Sequence, residues 1–165
     1  MQRQKISRGA HSVHQLYAHL VFVTFWRRRL ITAQRKQRLE SLFRDICSKK
    51  GAELVTFGSD HDDNEGKPAS DKPVSDKPEA DNHVHLLVRY PPTISISELV
   101  QQLKGESSYR ISLDEREGRL ENGERASRFQ WSSAYFAKSV GHTSSAGTHK
   151  YIAGQGTRRN RKKRR

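Results

Sequence analysis

The stretch His83-Val84-His85-Leu86-Leu87-Val88 decides how the rest of this chain is read. β-Branched and aliphatic residues dominate it, and Pro91 and Pro92 close it soon afterwards, so it is expected to be a strand. Alternation along a strand puts His83 and His85 on one face and Val84, Leu86 and Val88 on the other, towards a core. Two imidazoles roughly 7 Å apart at the backbone can chelate one divalent ion. By itself a His-x-His pair is a weak metal signal, and its surroundings have to decide.

Upstream of it, Leu16-Tyr17-Ala18-His19-Leu20-Val21-Phe22-Val23-Thr24-Phe25 reads as the first strand. Trp26-Arg27-Arg28-Arg29 follows, either a solvated strand end or a phosphate-binding patch with an aromatic for base stacking. Residues 33–50 change to a helical period, with Leu39, Leu42, Phe43, Ile46 and Cys47 on one apolar stripe. Cys47 is thereby a core residue, and Gly51 suits the end of that helix. Residues 52–57 give a second strand. Residues 59–80 are rich in Asp, Lys, Pro and Ser and nearly repeat themselves, Ser70-Asp71-Lys72-Pro73 and then Ser75-Asp76-Lys77-Pro78. No core can be built from such a segment, which reads as a disordered insertion. His61 among Asp60, Asp62 and Asp63 is a solvated charge cluster within it.

Downstream, Ser95-Ile96-Ser97-Glu98 has the form of a capping box opening a helix to about residue 111. Lys104 and Arg110 flank Ser107, Ser108 and Tyr109 there, a mixture that suits sugar–phosphate contacts or an ordinary solvated face. Residues 113–128 are charged and read as a loop. Phe129-Gln130-Trp131 precedes a fourth strand at residues 135–140. Ser144 or Ser145 caps a last helix, on which Tyr151 and Gln155 share a face. The order β-α-β-β-α-β predicts an α+β fold, a ferredoxin-like (RRM-like) sandwich whose four-stranded antiparallel sheet carries two helices on one face. The opposite face, with His83 and His85, is expected to be open, and the appended C-terminal helix carries the tyrosine. His19 falls beside the pair if its strand neighbours theirs.

Lysine and arginine outnumber the acids 31 to 18, for a net charge of +13 in 165 residues. Such an excess favours a polyanion, most often nucleic acid. The run Arg158-Arg159-Asn160-Arg161-Lys162-Lys163-Arg164-Arg165 holds seven of the positive charges, and the remainder is still +6. One cysteine excludes internal disulfides. No apolar run approaches the roughly 20 residues that span a bilayer, and residues 1–14 are too polar and basic for a secretory signal. The expectation is a soluble, cytoplasmic protein without a membrane partner. Its plan is a flexible basic arm over residues 1–14, one domain over 15–157 interrupted at 59–80, and a basic tail over 158–165.

Four pieces taken in order resemble the small single-tyrosine HUH transposases of insertion sequences that move as single-stranded DNA. They are His83-Val84-His85-Leu86-Leu87-Val88 with Pro91-Pro92; Ser97-Glu98-Leu99-Val100-Gln101-Gln102-Leu103-Lys104-Gly105-Glu106-Ser107-Ser108; Trp131 with Tyr135-Phe136-Ala137-Lys138-Ser139-Val140-Gly141; and Tyr151-Ile152-Ala153-Gly154-Gln155. The resemblance implies that His83, His85 and Gln155 bind a divalent metal, Mg²⁺ or Mn²⁺, and that Tyr151 is the nucleophile. It implies cleavage and rejoining of single-stranded DNA through a 5′-phosphotyrosine. It also implies recognition of DNA hairpins at the element ends and a homodimer in which the tyrosine helix can complete the partner's site. Arg27, Arg28, Arg29, Lys104, Arg110, Arg158 and Arg159 are candidate nucleic-acid contacts. Two departures stand out: the insertion at 59–80, and Phe25-Trp26-Arg27 where the family usually shows Lys-Tyr-Arg after the threonine. The competing expectations are a non-catalytic single-strand nucleic-acid binder on the same sheet and a domesticated or degenerate HUH nickase.

Overall fold

A computed structural model describes residues 7–8, 13–59, 80–120 and 128–141. The expected insertion, the tyrosine helix and the basic tail lie outside them, apart from Ser59 and Ala80 at the insertion's two ends. Four long strands, β3 (Leu16–Thr24), β4 (Glu53–Gly58), β5 (His83–Tyr90) and β6 (Trp131–Ser139), form one antiparallel sheet in the order β4-β5-β3-β6. Two helices, α1 (Ala33–Lys49) and α2 (Ile96–Arg116), connect them. Short strands β1 (Ser7–Arg8) and β2 (Val13–His14) pair with each other inside the segment read as a flexible arm.

The alternation in β5 does what its residues require. Val84, Leu86 and Val88 are buried against Leu20 and Phe22 of β3 and the inner stripes of both helices, including Leu39, Phe43, Leu99 and Leu103. Both helices therefore cover one face of the sheet. Cys47 lies in this core, and burial pushes its thiol up to about 12, so it is an apolar packing group. Thr32 caps α1 by accepting from the Arg35 N–H at 3.3 Å, and Gly51, at φ +67°, ends it in the left-handed region that glycine adopts most easily. Ser95 caps α2 through the Glu98 N–H at 3.1 Å. The Glu98 carboxylate instead lies 3.9 Å from Lys50, so the capping box has one of its two expected arms.

Helix α2 runs five residues beyond the expected end, into the charged segment read as a loop. The acids there are not solvated. Glu115 is buried against Arg35 of α1 at 2.6 Å, and Asp114 accepts from Arg38 at 2.6 Å and from Arg119 at 2.8 Å. Burial alone would raise the Asp114 carboxyl, but hydrogen bonds from Arg38 and Arg119, with their charges, hold it below the usual carboxylate range. These ion pairs turn a polar sequence into an interhelical clamp. The fourth strand also starts earlier than expected, at Trp131. Its indole packs edge-on against Phe22 and Phe129, and its Nε1–H donates to the buried Ser107 hydroxyl at 2.9 Å.

Candidate functional site

Strand pairing brings the histidines together. Val21 lies opposite His85 and Val23 opposite His83, and both pairs point away from the helices. The His83 and His85 rings stand 5.1 Å apart, centroid to centroid. His19, two residues before Val21 on the neighbouring strand, shares their face. Its ring stacks on that of His85 at 5.4 Å, with Nε2 placed 3.2 Å from Nδ1 of His85. The edge of Phe136 from β6 lies against His19 at 6.0 Å.

The centre of this face is not open, contrary to expectation. His19 is 2% exposed, His85 5% and Leu87 4%, while His83 is half-buried at the end of the strand. Burial, with the nearby His85 and Lys138, lowers His19 to about 4, so its imidazole is neutral at pH 7.

Each histidine of the pair has its Nδ1 occupied. In His83 it meets the Asn82 side-chain oxygen at 2.7 Å, and in His85 it meets His19. Nδ1–H donation by His83 to the Asn82 oxygen leaves the His83 lone pair on Nε2, the nitrogen a metal takes; His85 has the same arrangement when His19 accepts and the reverse when His19 donates. The donor set therefore fits a divalent ion. Among the described residues no three His, Cys, Asp or Glu side chains converge as a ligand set. Two imidazoles are what this part of the chain contributes, and Gln155 and Tyr151 lie outside the described residues.

The candidate DNA contacts separate into different environments. Arg27, Arg28 and Arg29 are exposed in and after the turn Phe25–Arg27, close in sequence to the end of β3. Lys104 is engaged internally. Its ammonium donates to the carbonyls of Ser133 at 2.9 Å and Ala134 at 3.2 Å, fastening α2 to β6, and burial lowers its pKa. Arg110 is exposed and lies 3.6 Å from Glu106 one turn away. Arg158 and Arg159 lie outside the described residues. Sequence reasoning missed Asn82, although an amide directly before a His-x-His strand is a usable signal for a supporting hydrogen bond.

An α+β protein with both helices on one face of a four-stranded antiparallel sheet, and supported histidines on the other, is the class defined by these features. The family profile described as "Transposase IS200 like" matches residues 12–63 and 78–155, and this chain belongs to that family of DNA transposases. The gap in the match falls within the expected insertion. The chain is 26% identical over 153 residues to the ISDra2 transposase TnpA of Deinococcus radiodurans, covering 92% of this chain and 91% of that one. It is 27% identical over 132 residues to the transposase for insertion sequence element IS200 of Salmonella typhimurium, covering 80% and 72%. A crystal structure of a Deinococcus radiodurans R1 protein shares the fold with a TM-score of 0.59 at 23% identity, covering 90% of this chain and 97% of that one. No described helix is long and apolar enough to cross a membrane.

Proposed function

We propose that this transposase cleaves and rejoins single-stranded DNA by transesterification through Tyr151, on a ferredoxin-like scaffold. The observation that carries the proposal is the pair His83 and His85 on one face of β5, each with Nδ1 within hydrogen-bonding distance of a neighbouring side chain. His83, His85 and Gln155 would hold Mg²⁺ or Mn²⁺, which supplies Lewis-acid polarisation of the scissile phosphate. Imidazole ligands favour Mn²⁺ over Mg²⁺.

Neutral His19 accepts the Nδ1 proton of His85. The opposite arrangement, with His19 donating, would place the proton of a neutral His85 on Nε2 and block it as a ligand. The Tyr151 phenol loses its proton, and its oxygen attacks phosphorus. The P–O3′ bond breaks, leaving a 5′-phosphotyrosine and a 3′-oxygen that takes up a proton as the free hydroxyl. Attack by a 3′-hydroxyl reverses the step without a nucleotide cofactor, because the phosphotyrosine keeps the ester bond in activated form. Hairpins at the element ends are the proposed DNA partners, bound with the exposed Arg27, Arg28 and Arg29, with Arg110, and with Arg158 and Arg159 of the tail. A homodimer is part of the same proposal. Edge strand β6 exposes Tyr135 and Phe136, apolar surface that a second copy can cover.

A Mn²⁺ titration followed by electron paramagnetic resonance tests the site. Wild type is expected to bind one ion, and His83→Ala and His85→Ala to lose at least tenfold in affinity. Equal binding by all three proteins would remove the metal site from this strand. The exposed Phe25 and Trp26 keep a second reading in play, a non-catalytic single-strand binder. It predicts DNA binding with no covalent product.

A further inference from the structure

Trp26 has a conformation and an exposure that packing does not explain. Among the described residues, only Trp26 and Arg27 are non-glycine residues with positive φ, at 55° and 54°. Left-handed backbone disfavours side chains as large as these, and such outliers concentrate at functional sites. The ring is 74% exposed in spite of two neighbours. Phe25 stacks on it at 4.9 Å, with the planes 21° apart, and the Arg28 guanidinium lies 5.0 Å from its centroid. Arg27, Arg28 and Arg29 are all exposed. An exposed indole braced by a second aromatic ring and set among three arginines has the chemistry of a nucleotide-stacking platform, with cations at hand for the attached phosphates.

The turn is also tied to the histidine site. The Thr24 hydroxyl, directly before the turn, lies 2.6 Å from the Arg28 carbonyl oxygen and 3.0 Å from that of Asn82, and donates its one proton between them. The Thr24 N–H donates to the same Asn82 carbonyl at 2.9 Å, and the Asn82 side chain holds His83. Phe25 N–H donates to the Gln130 carbonyl at 2.9 Å, anchoring the turn on its other side. Trp26 is thus three residues past Val23, the cross-strand partner of His83.

We infer that Trp26 is the stacking platform for one unpaired base of the DNA strand whose phosphate reaches His83 and His85. The inference rests on the transposase reading for the identity of the strand, but its test does not need the chemistry. The chain has two tryptophans, and the other, Trp131, is buried, so emission from an exposed indole reports Trp26. The full-length protein is titrated in chelator with a single-stranded 12-mer of mixed sequence and with its duplex, following tryptophan emission and fluorescence anisotropy. The single strand is expected to quench emission saturably and the duplex not to.

Trp26→Gly is expected to abolish the quench and weaken 12-mer binding about 5- to 100-fold, while its unfolding temperature stays level or rises because glycine accepts the left-handed turn. Trp26→Tyr should keep most of the affinity. Equal quenching by duplex, or unchanged binding by Trp26→Gly, would overturn the inference. So would a lower unfolding temperature for Trp26→Gly with parallel loss of binding, which would make the ring a structural part. Saturable single-strand quenching by a protein that forms no covalent DNA adduct would keep the platform and sink the transesterification reading; an adduct without quenching would do the reverse.

Discussion

Arg35→Met breaks the clamp between the two helices, and its cost can be worked from the contacts. The Arg35 guanidinium donates from Nε to Glu115 at 2.8 Å and from Nη1 to the Leu30 carbonyl at 2.7 Å, and lies 5.9 Å from the Phe129 ring. Both Arg35 and Glu115 are buried. Methionine fills much of the space but leaves the carboxylate of Glu115 without its charge partner, a change that costs about 3–5 kcal/mol. For a chain of this length that is roughly 10 °C in unfolding temperature. The double variant Arg35→Met/Glu115→Leu removes the stranded charge and should recover to within about 2 kcal/mol of wild type. Urea titrations of wild type, both single variants and the double give the coupling energy, expected at about 2 kcal/mol or more. A fall of less than about 1 kcal/mol in Arg35→Met, or strict additivity in the double, would refute the clamp.

Three further predictions concern the site, the acid response and the tail. His19→Phe keeps a ring beside His85 but removes the nitrogen that accepts its Nδ1 proton; Mn²⁺ affinity should fall about 10- to 100-fold, and wild-type affinity would contradict the tautomer argument. The Asp114 carboxyl is held below its usual range, so the unfolded chain takes up that proton first on acidification. Its contribution is complete above the ordinary carboxylate pKa of about 4 and is lost as pH falls through the depressed value. Asp114→Asn should be less stable at pH 7 and show a shallower loss below pH 4 in urea titrations; parallel curves would count against the Arg38 and Arg119 pairing. Deleting residues 158–165, with seven positive charges, should weaken single-strand binding and flatten its dependence on salt without abolishing cleavage, whereas an unchanged slope would remove the tail from the DNA interface.

The sequence made the strands around the histidines legible because their periodicity is strong and local. Val84, Leu86 and Val88 could only face a core, and the stripe from Leu39 to Cys47 could only be a helix face. What it hid depended on distant partners. Asp114 and Glu115 look like loop acids until Arg35 and Arg38, some 75 to 80 residues away, are brought against them. His19 has no visible role until β3 pairs with β5 and sets its ring on His85. Lys104 looks like a DNA contact in a basic helix, yet carbonyls of β6 take its ammonium. The left-handed backbone at Trp26 and Arg27 breaks the local preferences of both residues, so no propensity argument would have placed it.

Nucleophilic attack by Tyr151, supported by a metal at His83 and His85, would leave a covalent protein–DNA product. Single-stranded DNA carrying the flanks of the encoding gene is incubated with the protein in Mn²⁺ or chelator, alongside Tyr151→Phe and His85→Ala, and resolved under denaturing conditions. Wild type with Mn²⁺ is expected to give a protein–DNA band that disappears with chelator and in both variants. A band that survives Tyr151→Phe would assign the nucleophile elsewhere, and DNA binding with no band in any metal would contradict the chemistry itself.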